Sequence, residues 1–211
     1  MSPINGVILA GGQGSRMHNP HKPLLPLAGK SLLARVIALA APQVNSLVLS
    51  VPEDQSPYAG FGLPLIKDLD TPCQGPLVGI CSAMQWLHSQ AQDTGCLACF
   101  PADVPVFPAD LVATLQQALA VAAASAGPQW DADTVAWCLT GTQAQPLFSL
   151  WPLTGLPRLL AALAAGIHGP KLLFQSHPNL PVQLPPPDAL QFFNINTPDQ
   201  LACAERQMTG H

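Results

Sequence analysis

Charge is what this sequence has least of. Asp, Glu, Lys and Arg make up 9% of its 211 residues, against about 25% in an ordinary soluble domain. Only 8 residues are basic against 12 acidic, a net charge of −4. A nucleic-acid surface needs a basic stripe to neutralise successive phosphates, so that class of partner is excluded. Long apolar runs are also lacking. Leu111 to Gly127 is interrupted by Gln116 and Gln117, and Leu153 to Ile167 by Arg158. Neither reads as the ~20 apolar residues of a spanning helix. The opening MSPINGVILAGG has no basic residue ahead of its short apolar run, unlike a signal peptide. The expectation is a soluble, cytoplasmic chain with no membrane partner. Disorder is excluded by a hydrophobic content of 48%. A chain of this length buries a core without a disulfide or metal staple.

Metal-binding and redox cysteine frameworks are missing as well. Of the 6 cysteines, only Cys96 and Cys99 have chelating spacing, and no second pair follows. Their context, GCLACF, reads as a buried strand. Residues three apart on a strand point to opposite faces, which suits buried free thiols and not a shared metal.

What is present is a regular alternation of elements. Apolar runs at Ile4 to Ala10, Leu47 to Val51, Pro64 to Ile66 and Cys96 to Pro101 read as strands. Helical patterns lie between and after them: from an N-cap at Ser31 to about Ala41, from Pro76 to about Gln90, and from Pro108 to Ala124. Successive strand–helix units predict a doubly wound, mostly parallel sheet in a three-layer α/β/α arrangement. The second half predicts strands at Thr134 to Thr140 and Gln145 to Trp151, and a helix at Leu156 to Ala165. A late strand at Phe192 to Ile195 and a helix at Pro198 to Gln207 complete it. Proline, at 24 residues, is about twice as frequent as usual. Its densest stretch, His177 to Asp188, reads as an extended linker or surface loop. One domain over 1–211 is the simplest reading.

The loop after the first strand is GGQGSRMHNPHK. It is not a dinucleotide fingerprint, because the third glycine that would stand at 17 is Met17. Ala28-Gly29-Lys30-Ser31 ends like a P-loop, but the glycine required at 24 is Leu24. Three glycines after a strand still let backbone N–H groups approach a ligand closely. Arg16, Lys22, Lys30 and Arg35 put four of the eight cations in the first 35 positions. That clustering predicts an anion site, most simply for a nucleoside triphosphate.

LAGGQGSRM, then His21-Lys22 and LLPLAG, resembles the signature of the MobA-like nucleotidyltransferase family. Within it the chain is most similar to the molybdenum cofactor guanylyltransferases. GPLVGI at 75–80, PADVP at 101–105, QPLFSLW at 145–151 and NINTPDQL at 194–201 extend the resemblance over nearly the whole chain. It implies transfer of GMP from Mg-GTP to the terminal phosphate of molybdopterin, with release of pyrophosphate. It also implies a nucleotide-binding half at 1–110 and an acceptor-binding half at 111–211.

The resemblance further implies that Leu9, Ala10, Gly11 and Gly12 line the guanine and ribose, and that Arg16 and Lys22 meet the triphosphate. Ser50 and Asp68 would contact the nucleoside, and Asp103 would hold Mg²⁺. Gln145, Lys171, Asn194 and Asn196 are candidates for the acceptor site, and a molybdoenzyme or its chaperone for a receiving partner. In-line attack on the α-phosphorus builds charge that cations stabilise. A phosphate nucleophile is already ionised, so no general base is called for.

Alternatives stay open at this level. Asp103 has an alternative reading as a turn residue before Pro105, and Asp68 competes with Asp70. Asn194 and Asn196 suit a phosphate or a metal-bound water, and Asn196 or Thr197 also suits a helix cap. His18 and His21 stand where the family usually has Gly and Asp. Cytidylyl transfer, a sugar-phosphate acceptor, or a non-catalytic cofactor-delivery role are the rival readings. Gly12, where the cytidylyl branch has Ala, leaves room for a purine.

Overall fold

A computed structural model describes residues 2–11, 21–51 and 54–210. The opening apolar run is strand β1, Ile4–Leu9. A 3-10 turn at Lys22–Leu24 leads into a small antiparallel hairpin, β2 (Pro26–Leu27) and β3 (Lys30–Ser31). Ala28 and Gly29 turn it with φ of 45° and 77°, the paired positive φ that a type I′ turn requires. The stretch that ends like a P-loop is therefore a hairpin tip. Ser31 caps helix α1 (Leu32–Ala40) by accepting from Ala34 N, and Pro42 lies in the 3-10 turn that ends it.

Strands β4 (Ser46–Val51) and β5 (Leu65–Lys67), helix α2 (Pro76–Ser89), strand β6 (Cys96–Pro101) and helix α3 (Leu111–Ala126) follow close to their expected places. Strands β7 (Val135–Thr140) and β8 (Gln143–Pro152) and helix α4 (Leu156–Ala164) come next. The short helix α5 (Pro170–Leu173), strand β9 (Asn179–Leu184) and helix α6 (Pro198–Thr209) complete the chain.

Seven strands form one sheet in the order β5-β4-β1-β6-β8-β7-β9. All pairings are parallel except those of β8, which runs against both β6 and β7. Side chains alternate across the sheet as strand geometry demands. Ile4, Ile8, Leu49, Ala98 and Phe100 face one core, with residues of α1 and α3. Val7, Val48, Leu97, Cys99 and Trp151 face the other, with α2, α4 and α5. Cys96 packs on the first side and Cys99 lies in the second, so the CxxC pair is split across the sheet and both thiols are free. Burial pushes the Cys96 thiol up to about 11.

Two expectations fail here. His177 to Asp188 is not a linker throughout: residues 179–184 form β9, paired in parallel with β7 at the sheet edge. Val182 and Leu184 point into the core while Pro181 and Gln183 face out. An edge strand tolerates proline because one row of its N–H groups has no neighbour to bond. Phe192 to Ile195 is not a strand. Phe192 has φ 60°, its N–H donates to Val106 O at 3.0 Å, and Ile195 N donates to Asp103 O at 2.9 Å. A left-handed residue breaks extension, and packing holds it there: Phe192 meets Phe148 edge-on at 5.0 Å, and Phe148 meets Phe107 at 5.1 Å.

A further difference concerns Leu111–Gln129. It is long and apolar enough by composition to cross a bilayer despite its glutamines. Its inner residues Leu111, Val112 and Leu115 are packed in the core of the sheet.

Phe148→Ala removes the ring that both neighbours rest on, and a loss of about 3–5 kcal/mol in urea unfolding is expected.

Candidate active site

The parallel strands β1, β4, β5 and β6 all end at the same edge, where loops of a doubly wound sheet converge. The chain leaving β1 is held flat between its neighbours: Ala10 N donates to Ser50 O at 2.8 Å, and Ala102 N donates to Leu9 O at 3.1 Å. Two polar clusters lie on either side of this strand end.

The first cluster joins β4 to the residue after β5. Ser50 Oγ donates to Asp68 Oδ1 at 3.0 Å. Gly11 lies against the pair: a methyl group there would sit 3.6 Å from Asp68 Oδ2 and 3.8 Å from Ser50 Oγ. Asp68 as a residue is exposed, yet its carboxyl is shielded enough that lost hydration raises its pKa above the usual value, against the opposing Ser50 hydrogen bond. Asp68, and not Asp70, is the acid in this pocket.

Its remaining wall is Gly79 of α2, which the sequence reading did not single out. A methyl group at Gly79 would come within 2.7 Å of Ser50 Oγ and 2.9 Å of Leu9 Cδ2. Only glycine lets α2 approach so closely. The signal was available in GPLVGI, whose second glycine sits in a helix, where glycine is disfavoured unless packing needs it.

The second cluster gathers three remote segments. Lys22 is 9% exposed. Its Nζ donates to Asp103 Oδ2 and to Asn196 Oδ1, each at 2.6 Å. Asp103 stands two residues beyond β6. Asn196 is set by the start of α6, where Thr197 Oγ1 accepts from Gln200 N at 3.2 Å and Gln200 Oε1 accepts from Asn196 N at 2.7 Å. Thr197 is thus the helix cap, which frees the Asn196 amide for Lys22. The Ile195 N–H bond to Asp103 O locks the two segments together.

Other candidates fare differently. Gly12, Arg16 and His18 lie outside the described residues. His21 packs its ring 6.0 Å from that of Tyr58, tilted by 60°. Arg35 is not a phosphate ligand here: its guanidinium donates to Leu27 O at 2.9 and 2.7 Å and to Ala28 O at 2.8 Å, bracing the hairpin. Lys30 is exposed at the hairpin. Gln145 lies on β8 opposite Cys138, and Lys171 is exposed on α5. Asn194 is exposed beside buried Ile195. These three side chains make no hydrogen bond to the Lys22 cluster.

Among the described residues no three His, Cys, Asp or Glu side chains converge, so no all-protein metal cage is present among them. One carboxylate and one amide oxygen facing a shared cation fit a hard ion that completes its shell with phosphate oxygens and water.

Gly79→Ala forces α2 away from Ser50 and Leu9. Overpacking of this kind is expected to cost about 1–3 kcal/mol in urea unfolding, together with a loss of nucleotide affinity measurable by calorimetry.

The chain matches the MobA-like NTP transferase domain over residues 6–180. It is 37% identical over 207 residues to the molybdenum cofactor guanylyltransferase of Rhodopseudomonas palustris strain BisB5, covering 95% of this chain and 91% of the relative. It is 35% identical over 211 residues to the protein of that name from Rhizobium meliloti, covering 94% and 89%. Among solved structures, molybdopterin-guanine dinucleotide biosynthesis protein A from Archaeoglobus fulgidus shares the fold. The TM-score is 0.74 at 22% identity, over 98% of this chain and 100% of that one. A Mycobacterium tuberculosis protein solved in complex with manganese shares it as well, with TM-score 0.62 at 18% identity over 97% and 98%. The matched domain and the similarity to these relatives over nearly the whole length agree, and the chain belongs to the MobA-like NTP transferase family.

Proposed function

We propose that this chain transfers GMP from GTP to the terminal phosphate of molybdopterin, releasing pyrophosphate and forming the guanine dinucleotide cofactor. The observation that carries this reading is the pair of clusters flanking the end of β1: Ser50–Asp68 against Gly11 and Gly79 on one side, and Lys22–Asp103–Asn196 on the other. The first sets a carboxylate, braced by Ser50, beside glycine backbone, as an acceptor for base or ribose donors requires. The second is a mostly buried ammonium shared by a carboxylate and an amide, a charge suited to phosphate. The curated relatives are named for this activity at 37% and 35% identity.

Leu9, Ala10, Gly11 and Gly12 present the backbone to the guanosine, and Asp68, held by Ser50, accepts from it. Lys22 and Arg16 meet the triphosphate, where negative charge grows as the α-phosphorus is attacked. A terminal phosphate oxygen of molybdopterin forms the new bond to that phosphorus, and the bond to the bridging oxygen of the pyrophosphate breaks. The nucleophile is already anionic, so no residue needs to remove a proton. Mg²⁺, held by Asp103, supplies charge neutralisation on the phosphates when bound. The residues after 110 form the acceptor half, with Gln145, Lys171 and Asn194 as contacts for the pterin and its phosphate. A molybdoenzyme or its chaperone receives the product.

A nucleotide panel with molybdopterin and Mg²⁺ tests the assignment by following pyrophosphate release and the dinucleotide product. GTP is expected to be used and CTP refused; the reverse result replaces guanylyl by cytidylyl transfer. In the same assay Asp103→Asn is expected to abolish turnover while GTP binding stays measurable. Unchanged turnover in that variant removes Asp103 from the metal role.

A further inference from the structure

The position best suited to a metal cation is held by a cation of the protein. Lys22 Nζ sits 2.6 Å from Asp103 Oδ2 and 2.6 Å from Asn196 Oδ1. Mg²⁺ binds carboxylate oxygen at roughly 2.1 Å. An ion on that Asp103 oxygen therefore lies within about 5 Å of the ammonium that touches it. Two cations at that separation in a partly dehydrated cleft repel strongly.

The ammonium cannot simply swing into water. The Lys22 side chain is 11% exposed, and it leaves a 3-10 turn in which Lys22 and Pro23 are both buried. A buried charge stripped of its partners is costly. Lys22 therefore gives up Asp103 and Asn196 only when another anion takes their place.

We infer that Lys22 is a tethered competitor for the metal seat, so that the divalent ion enters with the triphosphate and not before it. The triphosphate draws the ammonium onto its own oxygens, and the vacated Asp103 and Asn196 oxygens then accept the ion. Nucleotide and metal binding are coupled through one side chain, and the coupling is reciprocal. Free divalent cations are thereby kept from the site while no substrate is bound. The inference rests on the reading that a nucleoside triphosphate binds at this edge. Its first test uses the metal alone, so it stands or falls separately from guanine specificity.

Mn²⁺ is titrated into the intact protein without nucleotide and followed by its paramagnetic signal. Lys22→Met is expected to bind Mn²⁺ at least tenfold more tightly than the parent chain, although it loses a residue assigned to triphosphate binding. Lys22→Gln, which keeps an amide donor toward both oxygens and so guards against a folding defect, is expected to gain at least threefold. Adding Asp103→Asn to either variant is expected to cancel the gain. With the unaltered protein, GTP is expected to tighten Mn²⁺ by at least tenfold, and this factor is expected to shrink in both variants. Mn²⁺ affinity unchanged or weakened in folded Lys22 variants overturns the inference. So does an unaltered protein that binds Mn²⁺ equally well with and without GTP, provided that GTP itself binds. Failure of GTP to bind, with the gain in the variants intact, removes the proposed function and leaves the competition at the seat standing.

Discussion

The Lys22 ammonium, buried and shared between Asp103 and Asn196, ties together residues 81 and 174 positions away along the chain. A buried charge of this kind contributes little net stability when satisfied, but its satisfaction is obligatory. The surroundings reflect that obligation. The loop after β6 is bonded to the segment before α6 through Asp103 O and Ile195 N. The Thr197–Gln200 cap holds the Asn196 backbone, and Phe192 is wedged under Phe148 in a strained conformation. The C-terminal part of the chain is thus anchored on the edge that the first strand opens.

Scarcity of charge makes each of the eight cations informative, but proximity in sequence is a poor guide to what each one does. Lys22 and Arg35 lie in the same opening region. One enters the polar cleft, and the other spends its guanidinium on the carbonyls of Leu27 and Ala28. Arg158, far along the chain, pairs with Asp131 at 2.8 Å and Asp133 at 3.3 Å beside the start of β7. Its side chain is half exposed, so that pair organises a loop more than it stabilises the fold. An anion site read from cation density alone overcounts, because backbone carbonyls at a hairpin attract arginine as readily as phosphate does.

Much of the architecture was legible because it rests on local rules. Strand periodicity split Cys96 from Cys99 and predicted their separation by the sheet. Ser31 and Pro76 marked helix starts correctly, since caps and first-turn prolines act within one turn. The errors cluster where tertiary contacts override local preference. Pro181 lies in a strand because that strand is at an edge, and edge position is not written in a local window. Phe192 looks like strand and is a left-handed turn because Phe148 and Val106 hold it there.

The motifs by themselves determined the family and the parallel half of the sheet. They also placed Ser50, Asp68 and Asp103 at strand ends, because a carboxyl-edge site follows from topology once the strands are known. Only the folded chain decided which neighbours those groups have. Gly79 became a wall of the Ser50–Asp68 pocket through the approach of α2, and Asn196 became a partner of Lys22 through the cap that Thr197 took instead. The reason is physical. Backbone propensity acts over a few residues, whereas a buried ammonium selects its partners from whatever oxygens the whole fold brings within reach.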